Sequence, residues 1–213
     1  MGRRKKKPAS AHRKTIQQAA NQLFIENGVE ATSVDKIAKT AGYSKATLYV
    51  YFENKEEIFF SLVHDYIRDL YRQVKRLTSK PPQTQDVFLK QYLQICFAIH
   101  QFCQNYPLYF EGLIGTIPVS ITDSERPQVY KDIYKLGLEL NKQVSLMIKR
   151  GILLDYLKPE IDIAKATLFI WSSLSGIIRM AEQKEDYYQL LGFDKEVILK
   201  EEFMTLLSCY QRK

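Results

Sequence analysis

Residues 32–57 read Thr32-Ser33-Val34-Asp35-Lys36-Ile37-Ala38-Lys39-Thr40-Ala41-Gly42-Tyr43-Ser44-Lys45-Ala46-Thr47-Leu48-Tyr49-Val50-Tyr51-Phe52-Glu53-Asn54-Lys55-Glu56-Glu57, and their pattern decides the fold. Val34, Ile37, Ala38 and Ala41 fall at i, i+3, i+4 and i+7, one face of a helix. Thr32 and Ser33 offer N-cap hydroxyls ahead of it, Asp35 suits the positive end of its dipole, and Gly42 stops it. Ser44 then caps a second short helix in which Leu48 and Phe52 face inward, leaving Lys45, Thr47, Tyr49 and Tyr51 to divide the outer side. Upstream, Ile16, Ala20, Leu23 and Phe24 recur at helical spacing before Gly28. Downstream, Asn54 with Glu57 three residues on caps a long helix whose stripe is Phe59, Leu62, Tyr66, Leu70, Val74 and Leu77, ended by Pro81-Pro82.

Helix, short helix, glycine turn, short helix is a helix-turn-helix, whose second turn-joined helix enters the DNA major groove by its N-terminal end. Lys45 opens that helix, and Thr47, Tyr49 and Tyr51 supply hydroxyls for phosphates or base edges. The charge distribution agrees. Residues 1–55 hold 11 Lys+Arg against 4 Asp+Glu, which is the whole net charge of +7, and the remainder holds 20 against 20. A first quarter this basic points to a polyanion, nucleic acid ahead of an anionic membrane surface. Lys55 stands in the first turn of a helix, where the dipole disfavours a cation unless an anion shares the site. A DNA phosphate would be such an anion; the alternative is that Glu56 and Glu57 offset the lysine in solvent. The Arg3-Arg4-Lys5-Lys6-Lys7 run reads either as an arm for a neighbouring minor groove or as a solvated tail adding nonspecific affinity.

The same residues resemble the DNA-binding signature of the TetR family of transcriptional regulators. The likeness runs through Thr32-Ser33-Val34, Ile37-Ala38, Ala41-Gly42, Ser44 to Phe52, and Asn54-Lys55-Glu56, and covers roughly residues 12–60. It implies a homodimer in which each subunit has an N-terminal DNA-binding domain and a C-terminal helical domain that binds a small molecule and dimerises. By position it implies Lys45, Ala46, Thr47, Tyr49, Val50 and Tyr51 on the recognition helix, with Ser33 and Ser44 opening the two short helices and Lys55 on a backbone phosphate. Many members carry glycine where this chain has Ala46, whose methyl would instead meet a thymine methyl.

The 213-residue chain is 46% hydrophobic and long enough to bury a core without disulfides or metals. Helical periodicity returns over 86–104, 107–115, 127–150, 162–183 and 195–211, with no period-two alternation. The fold class expected is all-α: a basic tail over 1–10, a three-helix DNA-binding domain over 11–55, and a helical regulatory, ligand-binding and dimerisation domain over 56–213. On the helix over 162–183, Ile170, Trp171, Leu174, Ile177 and Ile178 form a broad apolar face. With Met204 and Leu207 it suits a four-helix interface across a twofold axis, which paired half-sites call for. The middle helices are aromatic, and Tyr92, Cys96, His100, Cys103, Phe110, Tyr134 and Trp171 are candidates for a pocket taking a largely apolar or aromatic effector, each with core packing as its rival reading.

Cys96 and Cys103 lie seven residues apart, about 10 Å along a helix, too far for an unstrained disulfide. Three cysteines in no metal-ligand pair, no apolar run of membrane-span length and no secretory leader lead us to expect a cytoplasmic protein with free thiols. No metal-ligand spacing, glycine-rich phosphate loop or nucleophile-base pattern marks an enzyme or a cofactor. Two functions remain: a repressor released from its operator by a small molecule, and a DNA-binding protein of the same fold that answers to a protein partner or organises the chromosome.

Overall fold

The computed structural model describes residues 8–115 and 127–212. Their helices are α1 (Ala9–Asn27), α2 (Val34–Ala41), α3 (Lys45–Tyr49), α4 (Lys55–Leu77), α5 (Gln85–Asn105), α6 (Pro107–Ile114), α7 (Gln128–Leu153), α8 (Ile163–Gln183), α9 (Glu185–Leu190) and α10 (Lys195–Ser208). No strand occurs among the described residues, and the protein is all-α, with an N-terminal helix-turn-helix followed by a helical domain. Nor is any described helix long and apolar enough to cross a membrane. The chain divides into two compact units, Met1–Tyr66 with Gly115–Tyr134, and Ile67–Ile114 with Lys135–Lys213. The division falls within α4, about three turns beyond Lys55.

In the first unit, Ile16, Ala20, Leu23 and Phe24 of α1 are buried with Ile37 and Ala38 of α2, Leu48 of α3, and Ile58, Leu62 and Val63 of α4. Apolar spacing on each helix therefore becomes one shared core. Local chemistry sets the helix ends. The Ser33 hydroxyl accepts from the Lys36 N–H at 3.2 Å and the Ser44 hydroxyl from the Thr47 N–H at 3.1 Å, so each short helix has its own N-cap. Thr32, beside Ser33, is no cap: it is buried and donates to the carbonyls of Gly28 and Leu23 at 2.7 and 3.2 Å. Gly42 adopts φ 74°, ψ 28°, and its N–H returns to the carbonyls of Ala38 and Lys39. That left-handed residue makes the turn between α2 and α3, and a side chain there would strain it.

The second unit packs α5 against α8 and α10. Thr84, Asp162 and Asp194 cap α5, α8 and α10 through their side chains. The Tyr92 hydroxyl donates to the Phe203 carbonyl at 2.7 Å, tying α5 to α10 inside the core. Where Pro81-Pro82 interrupts the chain, the Gln91 amide donates to the carbonyls of Leu77 and Lys80, and Arg150 donates to that of Thr78. These bonds take up carbonyls that a helix end leaves open. The chain end is stapled by an isolated bridge between Leu157 and Gln211.

Two expectations are corrected. The sequence predicts no helix between 183 and 195, yet α9 forms there, a six-residue stretch too brief for a periodicity test. More consequentially, Ile170, Leu174, Ile178 and Leu207, expected at a subunit interface, are only 0–3% exposed within one protomer. Ile177, Met204 and Trp171 are half-buried. Helix α8 is apolar on two sides, and the stripe with the strongest period is the one its own core uses. The side left open carries Leu168, Phe169, Ser172 and Gly176, with Val197 exposed on α10.

Candidate nucleic-acid interface

On α3, Leu48 points into the core, while Ala46, Tyr49 and Val50 are exposed and Lys45 heads the helix in solvent. Tyr49 and Val50 are 47% and 75% exposed and adjoin one another on the solvent side. Thr47 is half-buried, its hydroxyl 2.8 Å from that of Ser44. The structure thus sets Lys45, Ala46, Tyr49 and Val50 on the solvent side of α3. The Lys45 ammonium donates to the Asp35 carboxylate on α2 at 2.8 Å, and this hydrogen bond and its charge raise the lysine above its ordinary value. Lys45 is therefore cationic at neutral pH and paired with Asp35.

Tyr51 is not free on the outer side. Its ring stacks on His12 with centroids 5.2 Å apart, and His12 Nδ1 lies 2.7 Å from the Tyr43 hydroxyl. Three aromatic rings from α1, the glycine turn and the end of α3 therefore form one cluster, and nothing in local periodicity announces it. Below it, Arg13 donates to the Tyr51 carbonyl and to Glu57 Oε1, the latter at 3.0 Å, with its guanidinium 3.9 Å from the centre of the Phe52 ring. Glu57 is 7% exposed and its second oxygen accepts from the Glu53 N–H at 2.7 Å; its own N–H donates to Asn54 Oδ1 at 2.7 Å. This is the expected cap of α4, doubled as an anchor for α1.

Lys55 departs from both sequence readings. Its ammonium donates to the carbonyls of Val29 at 2.8 Å and Glu30 at 3.2 Å, with the side chain 16% exposed. Carbonyl oxygens past the end of α1 supply the negative pole that the dipole of α4 demands, so no phosphate is needed to hold the cation there. The contact fastens the start of α4 to the loop that precedes α2. Arg3 and Arg4 lie outside the described residues.

In the second unit, Tyr92, Cys96, His100, Cys103 and Phe110 are buried. Desolvation pushes the Cys96 and Cys103 thiols up to about 12 and about 11. His100 Nε2 lies 2.7 Å from Glu182 Oε1, and Lys195 reaches the same carboxylate at 3.1 Å. Burial pushes the Glu182 carboxyl up, but the bonds from His100 and Lys195 outweigh it and hold the group below the usual carboxylate range. His100 also lines a cavity of about 380 Å³ with the amides of Gln73, Gln94, Gln101 and Gln104, apolar Leu77, Phe97 and Ala98, and Glu196. Tyr134, 37% exposed, belongs to the first unit.

A glycine-turned pair of short helices that presents a lysine and an apolar-aromatic ledge, on a basic N-terminal segment, defines a helix-turn-helix DNA-binding protein. Residues 16–62 match the profile described as bacterial regulatory proteins, tetR family. The chain is 25% identical over 150 residues to the HTH-type transcriptional regulator YhgD of Bacillus subtilis, covering 70% of this chain and 67% of that protein. With the fatty acid metabolism regulator protein of the same organism it shares 22% identity over 184 residues, 84% of this chain and 88% of the relative. FadR from Bacillus subtilis, solved in complex with stearoyl-CoA, has the same fold, with a TM-score of 0.67 at 18% identity over 92% of this chain and 97% of that one. Residues 16–62 are thus a DNA-binding domain of the kind found in the tetR family of bacterial regulatory proteins.

Proposed function

We propose that the protein is a cytoplasmic homodimeric repressor that grips two operator half-sites with its α3 helices and leaves DNA when a small, largely apolar or aromatic molecule binds its helical body. The observation that carries this reading is the α3 ledge of Ala46, Tyr49 and Val50 headed by Lys45, solvent-facing on a helix fixed by its own cap and core residue. Relatives named for fatty acid regulation, one of them holding stearoyl-CoA, support a ligand-responsive body.

Dimerisation uses the open side of α8, Leu168, Phe169, Ser172 and Gly176, with Val197, rather than the buried stripe. Small Ser172 and Gly176 let two helices approach closely while Phe169 and Leu168 fill the contact. Control runs through α4, about 35 Å long at 1.5 Å per residue, whose 23 residues contribute to both units. Because Lys55 and Glu57 fasten its start to the helix-turn-helix, a tilt of α4 changes the spacing of the two α3 helices. An effector that prefers one spacing then shifts operator affinity, and operator shifts effector affinity by the same factor.

Selection of bound duplexes from a random pool, followed by sedimentation, tests this. A palindromic site occupied by one dimer is expected, and Phe169→Glu should yield folded monomers that no longer bind it. Sequence-indifferent binding, or a wild-type monomer at operator-binding concentrations, would overturn the proposal.

A further inference from the structure

His12 lies near the start of α1, and no helical periodicity singles it out. Its ring stacks on Tyr51 at an interplanar angle of 18°, and its Nδ1 lies 2.7 Å from the Tyr43 hydroxyl. A phenol O–H is far more acidic than a neutral imidazole N–H, so in the neutral pair Tyr43 donates and Nδ1 accepts, with the imidazole proton on Nε2. The place of this pair matters. Tyr43 directly precedes Ser44, the N-cap of α3, at the end of the helix that enters a groove, where duplex phosphates flank the entry. All three rings are half-buried, so each keeps a side in solvent. While it donates to His12, the Tyr43 hydroxyl has no hydrogen left for a phosphate oxygen.

We propose that His12 is a positioning residue of the DNA interface, and that its charge decides where the Tyr43 hydrogen points. A proton added at Nδ1 reverses the bond: Nδ1–H donates to the Tyr43 oxygen, and the hydroxyl hydrogen turns outward to a backbone phosphate. Histidine is the side chain that changes charge between pH 5 and 8, so binding tightens as pH falls through that range. The surroundings accommodate the cation. The Tyr51 ring lies 5.2 Å away in a stack that a positive charge strengthens. Arg13, next along α1, has its own charge answered by Glu57 of α4 at 3.0 Å, while the turn after α2 and the end of α3 present the Tyr43 and Tyr51 rings. Among the described residues His12 forms no ion pair, which leaves its charge for a phosphate. This role rests on the reading above in which α3 enters the groove.

Fluorescence anisotropy of the full-length protein at pH 8 and pH 5.5 tests this, on the duplex enriched from the random pool and on a mixed-sequence duplex that offers the same phosphates. Wild type is expected to bind both about tenfold more tightly at pH 5.5, because each of two subunits takes up its proton more readily on DNA. His12→Phe keeps a ring on Tyr51 but cannot bond Tyr43. It should bind at pH 8 at least as tightly as wild type, its Tyr43 hydroxyl being free, and gain less than about twofold at pH 5.5. Tyr43→Phe, which keeps its ring, should lose most of the same gain. A His12→Phe protein that binds more weakly at both pH values with the wild-type pH profile intact overturns the proposal, since His12 would then be structural only. So does a wild type equally tight at both pH values, or a Tyr43→Phe protein that tightens as wild type does. The two duplexes separate the readings. An enriched palindrome bound equally at both pH values keeps the regulator and removes the role of His12. A His12-dependent gain on the mixed-sequence duplex with no sequence enriched keeps that role and removes the operator.

Discussion

Replacing Glu57 should loosen the whole DNA-reading unit, although the residue lies off the recognition helix. Its two oxygens hold Arg13 at 3.0 Å and the Glu53 N–H at 2.7 Å. A hydrogen bond to a charged group contributes about 1.5–3 kcal/mol, and stranding one partner of a buried pair costs about 3–5 kcal/mol. The upper figure does not apply, because the Arg13 side chain is 38% exposed and water can resolvate it. Glu57→Ala is therefore expected to destabilise the first unit by about 2–3 kcal/mol, and Glu57→Gln, which keeps one acceptor oxygen, by about 1 kcal/mol. Because two compact units make a single unfolding midpoint ambiguous, the assay is native-state hydrogen exchange, reading the opening free energy of amides in α1 and α4 separately from those in α8 and α10. Operator affinity should fall with the α1 and α4 protection. A Glu57→Ala protein with α1 protection within about 0.5 kcal/mol of wild type would refute the reasoning, as would equal losses for the alanine and glutamine variants.

Lys45→Ala should flatten the log–log dependence of operator affinity on salt by about 1.8 per dimer, one phosphate per subunit, while Asp35→Asn should strengthen binding at low salt; fluorescence anisotropy across a salt series reads both. Gly151→Ala would set a methyl 2.6 Å from Leu157 Cδ1 and 2.8 Å from Phe88 Cζ, and should lower the stability of the second unit by about 1–3 kcal/mol in urea denaturation. Iodoacetamide at pH 8 should alkylate exposed Cys209 and spare Cys96 and Cys103, which are buried and whose thiols stay protonated there; mass spectrometry of the peptides decides, and rapid labelling of Cys96 would show the α5 core to be open.

The helix-turn-helix was legible before any coordinates because its signals are local. Ser33, Gly42, Ser44 and Leu48 act on neighbours within a few residues, through caps, a left-handed turn and one inward side chain, and such effects leave their mark at fixed spacing in the chain. The exposed Lys45, Ala46, Tyr49 and Val50 follow from the same short stretch, while the basic bias of residues 1–55 comes mostly from the Arg3–Lys7 run. What the chain alone could not decide involves partners far apart in sequence. Arg13 meets Glu57, Lys55 turns to the Val29 carbonyl, His12 locks Tyr43 and Tyr51, and His100 is satisfied by Glu182. Helix α8 makes the same point about surfaces. An apolar period shows that a helix has a side to bury, and on a helix with two such sides only the packing of α5 and α10 determines that Leu174 goes inward and Phe169 stays exposed.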